Sequence, residues 1–401
     1  MPPASQPAFA PLAATAASRR IALAFPYGRA FVEQVVEGIL AYARRQADWQ
    51  ILRFPERLSP SLDWLQGWQG DGAFVILSTP EDARIARALP FPVVNITAYF
   101  PKPGVATVTA DHREIGRVAA QHLLERRFRK FGYYGSGDLY FSQLRRDGFV
   151  GAIRQHGGRC AVLEVPSIVA SGKMWMRQQQ ELEDWLRSLQ PPVAIMASTD
   201  LRADMLLETC RRLGLRIPDQ VAVIGVDNDP VIVDHSQPPL SSVARNDQQA
   251  GELAASLLHE LMAGRRTRRL WRFVPPTGVV ARQSTETMAV EDPELAGLIH
   301  YIRQHIAENF GVERLPPLVQ CSRRTLEHRF RTHLGAPPSA VIHRLRVDQA
   351  RRLLEARPKQ SLAAIAAACG FSNVRHFRLV FRRFQKQSPA EYRRSLKHGS
   401  I

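Results

Sequence analysis

The chain has 401 residues, 45% of them hydrophobic and 23% charged, enough for two to four domains of about 100–200 residues and too apolar for a disordered polyelectrolyte. Lys and Arg number 54 against 37 Asp and Glu, a net charge of +17, which points to a polyanionic partner, nucleic acid or an anionic membrane. No apolar run reaches the roughly 18 residues of a membrane span. Cys160, Cys210, Cys321 and Cys369 form no CxxC and lie near no His at zinc-ligand spacing, so a zinc finger or disulfide scaffold is not expected, and a reducing cytoplasm is.

Residues 1–18 are rich in Pro, Ala and Ser and carry no basic segment before an apolar one. They read as a disordered tail rather than a signal peptide. From residue 19 to 285 apolar, β-rich runs alternate with segments of helical spacing. The runs are Arg20–Phe25, Gly72–Leu77, Pro92–Ile96, Ala106–Thr109, Lys130–Tyr134, Val193–Ala197, Val221–Val226 and Phe273–Val280. The helical segments are Val32–Gln46, Glu81–Leu89, Ile115–Glu125, Leu144–Gln155, Met174–Leu189, Asp204–Leu213 and Gln248–Met262. This alternation predicts parallel sheets covered on both faces, and the length predicts two lobes.

Nothing in this part reads as an active site. There is no Walker A loop, Gly135-Ser-Gly137 lacks a third glycine, and Ser241-Ser242 sits in no nucleophile elbow. No catalytic residue, metal ligand or cofactor is assigned. Polar clusters do follow the strands: Asn95, Ser198-Thr199-Asp200, Asp227-Asn228-Asp229 and Arg245-Asn246-Asp247. Ligands of open α/β sheets bind outside the carboxyl ends of strands. Carboxylates, an Asn and an Arg converging there suit a neutral polyhydroxylated ligand. Asp200 and Asp247 could instead cap the helices they precede. Phe25, Tyr27, Tyr140, Phe141 and Trp175 are the aromatics that could stack on such a ligand or serve as core and rim.

Residues 286–292 read as a linker. Residues 293–401 hold 20 Lys/Arg and 7 Asp/Glu, a net of +13, so the polyanion-binding unit is C-terminal. Asp292-Pro293 is a helix start, and only helices follow, broken at Gly335-Ala-Pro-Pro, Arg357-Pro358 and Cys369-Gly370. Two helix-turn-helix units are expected. In the first, a short helix over Pro317–Gln320 turns at Cys321-Ser322 into a helix starting at Arg323. In the second, Ser361 caps Leu362–Ala368, Gly370 permits the turn, and a helix runs from Asn373 to Lys386 on an apolar stripe of Phe377, Val380, Phe381 and Phe384. Ser339–Arg357 connects them, and Ser388-Pro-Ala-Glu391 is a capping box. Two such units, with Arg323, Arg324, Arg329, Arg331, Arg375, Arg378, Arg382 and Arg383 expected on their surface, argue against a generic bundle.

Ser361-Leu-Ala-Ala-Ile-Ala-Ala-Ala-Cys-Gly-Phe-Ser372, Phe377, Phe381-Arg-Arg-Phe384 and Ser388-Pro-Ala-Glu-Tyr-Arg393 resemble the signature of AraC-family transcription regulators, over about residues 293–395. The resemblance implies a seven-helix domain, here bounded at 293–399, whose two recognition helices enter successive major grooves. It makes Arg323, Arg324, Glu327 and His328 the base-facing set of the first helix, and Asn373, Val374, Arg375, Arg378 and Leu379 that of the second, some of them meeting phosphate instead.

Val221-Ala-Val-Ile-Gly-Val-Asp-Asn228, with Arg145 and Pro218-Asp219, resembles the effector domain of lactose-repressor-type regulators and periplasmic sugar-binding proteins, over about residues 20–285. The resemblance implies that Asp227 and Arg145 bond a sugar. Asn228, Asp200, Thr199, Asn95, Phe25 and Tyr27 complete the expected ligand-binding set. It also implies two lobes joined by crossovers near Thr109–Asp111, Ser242–Arg245 and Arg266–Leu270. A sugar sensor followed by an AraC-type domain is the order of the bacterial xylose operon regulators. Gln34-Val-Val-Glu-Gly38, Leu240-Ser-Ser-Val-Ala244 and the segment Val274–Thr285 are similar to theirs, whereas Pro26 replaces a polar Asn. The expectation is therefore a sugar-responsive transcription activator, not an enzyme. It is expected to be a homodimer that binds a double-stranded DNA operator, D-xylose or a related aldose, and RNA polymerase, but no membrane. The alternatives are a sugar-modifying enzyme with a DNA anchor, or a nucleobase or phosphosugar effector, which would need more positive charge in the cleft than Arg145 provides.

Overall fold

A computed structural model describes residues 18–25, 28–46, 48–53, 62–167, 171–267, 269–286, 292–356 and 359–398. Tyr27, Pro26, most of the N-terminal tail and linker, and the Arg357-Pro358 break lie outside the described residues. The chain divides into two compact units, Met1–Glu286 and Thr287–Ile401.

The first unit is an α/β domain of two lobes, with one mainly parallel six-stranded sheet in each. Lobe 1 opens with β1 (Arg19–Ala24), α1 (Ala30–Gln46), β2 (Trp49–Arg53), β3 (Gly72–Val75), α2 (Pro80–Ala88), β4 (Val93–Asn95) and β5 (Ala106–Ala110). The chain then crosses into lobe 2 through α3 (His112–Glu125), β6 (Lys130–Ser136), α4 (Tyr140–Gln155), β7 (Arg159–Val165), α5 (Gly172–Ser188), β8 (Val193–Ala197), α6 (Asp200–Arg212), β9 (Val221–Val226), α7 (Pro230–Val233) and β10 (Ser241–Ala244). It returns through α8 (Asp247–Met262) and β11 (Trp271–Val274), and ends in lobe 2 with β12 (Gly278–Val280). The sheet orders are β11-β5-β4-β3-β1-β2 and β12-β10-β9-β8-β6-β7.

Two expectations need correction. The third crossover is not at Arg266–Leu270 but between β11 and β12, over residues 275–277. The single run Phe273–Val280 is in fact two strands. Trp271–Val274 pairs parallel with β5, and Gly278–Val280 pairs antiparallel with β10. Pro275-Pro276 removes two backbone donors and ends the first strand. β2 and β7 also escaped the reading by apolar runs. Both are edge strands with largely half-exposed residues, and edges bury too little to look like core strands.

Buried Val, Ile, Leu and Ala from both faces of each sheet pack beneath the helices. In lobe 2, α3 and α4 meet backbone to backbone. A Cβ on Gly116 would fall 2.1 Å from the Arg145 carbonyl oxygen, and one on Gly148 would fall 2.0 Å from that of Arg113. The two glycines thus set the height of Arg145 against the start of α3.

The second unit is all-α among the described residues: α9 (Pro293–Gln304), α10 (Arg323–Leu334), α11 (Pro338–Ala356), α12 (Leu362–Ala368), α13 (Val374–Gln385) and α14 (Pro389–His398). The short first helix of the first helix-turn-helix unit is a 3-10 turn, Pro316–Val319, ended by Gln320 at φ +46°. Pro316 and Pro317 occupy its first two positions, where no N–H is needed, and the left-handed Gln320 ends it after a single turn. The Ser322, Ser361 and Asn373 side chains each accept from the backbone N–H three residues on. Gly370 takes φ +70°. Ser388 and Glu391 form the reciprocal capping box.

Candidate functional site

In the first unit Arg145 and Asp227 meet where the lobes face each other. Arg145 rises from α4 with only 1% of its surface exposed. Its Nη2 donates to Asp227 Oδ1 at 3.1 Å, its Nη1 to the Ser198 carbonyl, and its Nε to His112 Nδ1 at 3.3 Å. The guanidinium carbon lies 4.9 Å from the Phe141 ring centroid. Burial and the flanking Arg145 and Arg245 charges hold His112 well below its ordinary pKa. Neutral His112 therefore accepts from Arg145 at Nδ1 and faces Thr109 Oγ1, 3.2 Å away, at Nε2.

Asp227 has φ +110° and Asn228 φ +51°, a strained backbone for side-chain-bearing residues. Surrounding bonds hold them there. Asp227 N–H donates to the Val243 carbonyl, Asn228 N–H to Ser242 Oγ at 3.0 Å, and Arg282 to Asn228 Oδ1 at 2.9 Å. Beneath them Asp200 accepts from Ser242 Oγ at 2.6 Å and from Asp229 N–H at 2.9 Å. Burial and the Asp227 charge push the Asp200 carboxyl above its usual range. The result is an Asp227 carboxylate that keeps 22% of its side chain exposed between two arginines.

The second arginine, Arg245, bonds Asp247 at 2.6 Å and Asp227 at 3.4 Å and lies over the Phe31 ring. From lobe 1, Tyr99 closes against this cluster. Its ring is 5.6 Å from Phe141, its carbonyl accepts from Tyr140 N–H, and its hydroxyl accepts from Arg29 at 2.9 Å. Arg245 Nε and Ser198 Oγ are buried without a hydrogen-bond partner among the described residues.

The other expected ligand residues have structural occupations. Asn95 is 1% exposed. It accepts from Leu77 N–H and donates to the Thr97 carbonyl and Thr107 Oγ1, so it straps lobe 1 from within. Phe25 is wholly buried in the lobe 1 core. Thr199, not Asp200, caps α6, and Asp247 pairs with Arg245 rather than capping α8. Trp175 lies on α5, 41% exposed. Arg245 was marked from sequence within a strand-end polar cluster, whereas Tyr99, His112 and Phe31 were not singled out. Both Tyr99 and His112 were within reach of the strand-end rule, since Tyr99 follows β4 by four residues and His112 follows β5 by two.

In the second unit each helix-turn-helix has its own core. One gathers α9, α10 and the start of α11. The other gathers the end of α11, α12 and α13. Arg346 of α11, 4% exposed, joins them. It donates to the Glu308 and Phe310 carbonyls and lies over the rings of Phe310 and Phe371. Outside, α10 exposes Arg323, Arg324 and His328, and α13 exposes Arg375, Arg378, Leu379, Arg382 and Arg383. Glu327 pairs with Arg323 at 3.2 Å. Asn373 caps α13, and Val374 packs on the core. Arg329, counted among the surface arginines, is instead bound to Asp292 and Glu294 at the start of α9.

Comparison with known proteins places both units. Residues 120–285 match a periplasmic binding protein-like domain and residues 318–395 a helix-turn-helix domain. The xylose operon regulatory protein of Escherichia coli K12 is 31% identical over 385 residues, 93% of this chain and 96% of that protein. The chain belongs to the family of xylose operon regulatory proteins. A family member from Haemophilus influenzae is 28% identical, over 93% of this chain and 98% of its own. A solved structure of a xylose-binding transcription activator, 30% identical, superposes with a TM-score of 0.71, covering 94% of this chain and 98% of that one. Like the rest of the family, this protein is a DNA-binding, sugar-responsive transcription regulator and not an enzyme. The family match spans both the cleft around Asp227 and the arginine-rich face of α13.

Proposed function

We propose that this regulator senses an aldose, D-xylose or a close relative, between its two lobes, and activates transcription of a carbohydrate-utilisation operon as a cytoplasmic homodimer that contacts RNA polymerase. The Arg145–Asp227–Arg245 cluster carries the reading. Asp227 offers a fixed acceptor for paired hydroxyls, and Arg245 Nε and Ser198 Oγ supply buried polar atoms that a ligand can bond. Tyr99, Phe31 and Phe141 supply rings for the apolar face of a sugar. His112 and Asn228 steady the two central side chains, and Asp200 holds the Asp227 loop from below.

The charge balance favours a neutral ligand. Arg145 and Arg245 are each bonded to a carboxylate, so the added guanidinium does not leave a surplus to hold phosphate. The xylose named for the family's relatives fits this balance.

Thermal-shift measurements against D-xylose, other aldoses, D-xylose 5-phosphate and nucleosides test the proposal. A free aldose at about 100 times its Kd should add about 2.7 kcal/mol to stability. A rise in Tm with the phosphosugar or a nucleoside but with no free aldose would overturn it.

A further inference from the structure

The exposed face of the second recognition helix, α13, holds a residue that its surroundings do not explain. Arg375, Arg378, Arg382 and Arg383 project there, and among them Leu379 leaves 67% of its surface in water. The apolar stripe of α13, Phe377, Val380 and Phe381, is buried on the opposite side. Leu379 is therefore no extension of the core; it is an apolar side chain inside an arginine field. A leucine adds nothing to the attraction of this face for a phosphate backbone, and its exposed methyl groups gain free energy when an apolar group of a partner covers them.

The partner's chemistry follows from the neighbours. Four guanidinium groups around one leucine repel a basic surface and suit a phosphate-lined groove. Within the major groove the edges of A, G and C present hydrogen-bonding groups only. The thymine 5-methyl is the one apolar group, and apolar side chains read it. Leu379 lies in the second turn of α13, within the N-terminal half of a helix whose first turns face base edges. We infer that Leu379 is a specificity residue that reads a thymine methyl group in the major groove, flanked by arginines that hold the helix on the backbone and on neighbouring bases. The inference rests on the DNA-binding assignment and adds one base to it.

Removing that methyl from DNA tests the contact without touching the protein. The full chain, with D-xylose present, selects its preferred duplex from a random pool. Each thymine of that duplex is then replaced in turn by deoxyuridine, and affinities are measured by fluorescence anisotropy for wild type and Leu379→Ala. At one thymine beside the α13 half-site, deoxyuridine should weaken wild type about fourfold, the worth of one buried methyl at about 0.8 kcal/mol. Leu379→Ala should bind thymine and deoxyuridine at that position alike. If no thymine is methyl-sensitive in wild type, or if the variant keeps every sensitivity of wild type, the inference is overturned. A chain that selects and binds no duplex would overturn it together with the DNA-binding assignment, so the two failures are distinguishable. Leu379 is 67% exposed and lies outside the buried cluster of this helix-turn-helix, and unchanged melting of Leu379→Ala verifies that the variant is folded.

Discussion

His122 Nε2 lies 2.8 Å from the Thr285 hydroxyl, which fastens the far end of α3 to the last turn of the effector domain. Arg126 adds a bond from its Nε to the Thr285 carbonyl at 2.9 Å, and Ser241 shares the Thr285 hydroxyl at 2.7 Å. The other end of α3 begins with His112, bonded to Arg145. One helix thus touches the Arg145–Asp227 cluster at its start and the exit of the chain from the α/β domain at its end.

Thr285→Val should therefore separate sensing from response. The variant loses the hydroxyl that His122 and Ser241 share but keeps its shape. D-xylose affinity by calorimetry should stay within about twofold, while the sugar-dependent change in operator affinity should shrink by 1 kcal/mol or so, near the lower end of typical coupling energies. Equal sugar dependence in variant and wild type would exclude this route.

His122 also sets a pH dependence. Burial and the adjacent Arg126 hold its pKa down to about 3. The unfolded chain binds a proton here below about pH 6.5 and the folded chain does not until far lower, so stability is present above 6.5 and is lost as pH falls. Between pH 7 and 5 this one group should account for about 2 kcal/mol. His112, also held neutral, acts in the same direction. Urea unfolding should give a shallower pH slope for His122→Gln than for wild type; identical slopes would refute the assignment.

Asp227→Ala should lower D-xylose affinity by about 1.5–3 kcal/mol, the worth of a charged acceptor, with operator binding in the absence of sugar unchanged. Arg145 keeps its bonds to Ser198 and His112, so the variant should stay folded, with a lower Tm because a buried guanidinium loses its carboxylate. Calorimetry and circular dichroism on the same sample decide the point. Full sugar affinity would remove Asp227 from the site.

Asn95→Ala should behave in the opposite way. Its bonds to Leu77, Thr97 and Thr107 all lie inside lobe 1, and losing them leaves buried groups unpaired at a cost of about 1–3 kcal/mol. A lower Tm with unchanged sugar affinity at a temperature where the variant is folded is the expected result. Weakened sugar binding in a stably folded variant would return Asn95 to the ligand set.

On DNA, Arg375→Ala and Arg382→Ala should differ. Arg375 sits in the first turn of α13, where side chains reach base edges, and Arg382 in its last turn. The first should relax base preference at one position. The second should weaken all sequences alike and flatten the logarithmic salt dependence by about one. Binding-site selection and salt titration of the two variants would show it, and uniform loss in both would reduce the arginines to an electrostatic footing.

The division into an α/β sensor and an all-α unit was legible in hydrophobic patterning, because strand runs and helical spacing are local. The caps at Ser322, Ser361 and Asp292, the turn at Gly370 and the Ser388–Glu391 box were legible for the same reason: each is complete within four residues. Asp227 and Arg145 were named through resemblance, and tertiary structure decided how they are held. It bends Asp227 to φ +110°, raises Arg145 on the α3–α4 contact, and brings Tyr99 and Arg245 beside them from opposite lobes and distant sequence. It also gives Asn95, Phe25 and Arg329 partners within the chain itself. A polar or aromatic residue at a strand end, or an arginine on a helix, looks the same in sequence whether its partner is a ligand, a nucleic acid or its own chain. Only the packed structure shows which hydrogen bonds and ring faces the fold has already used.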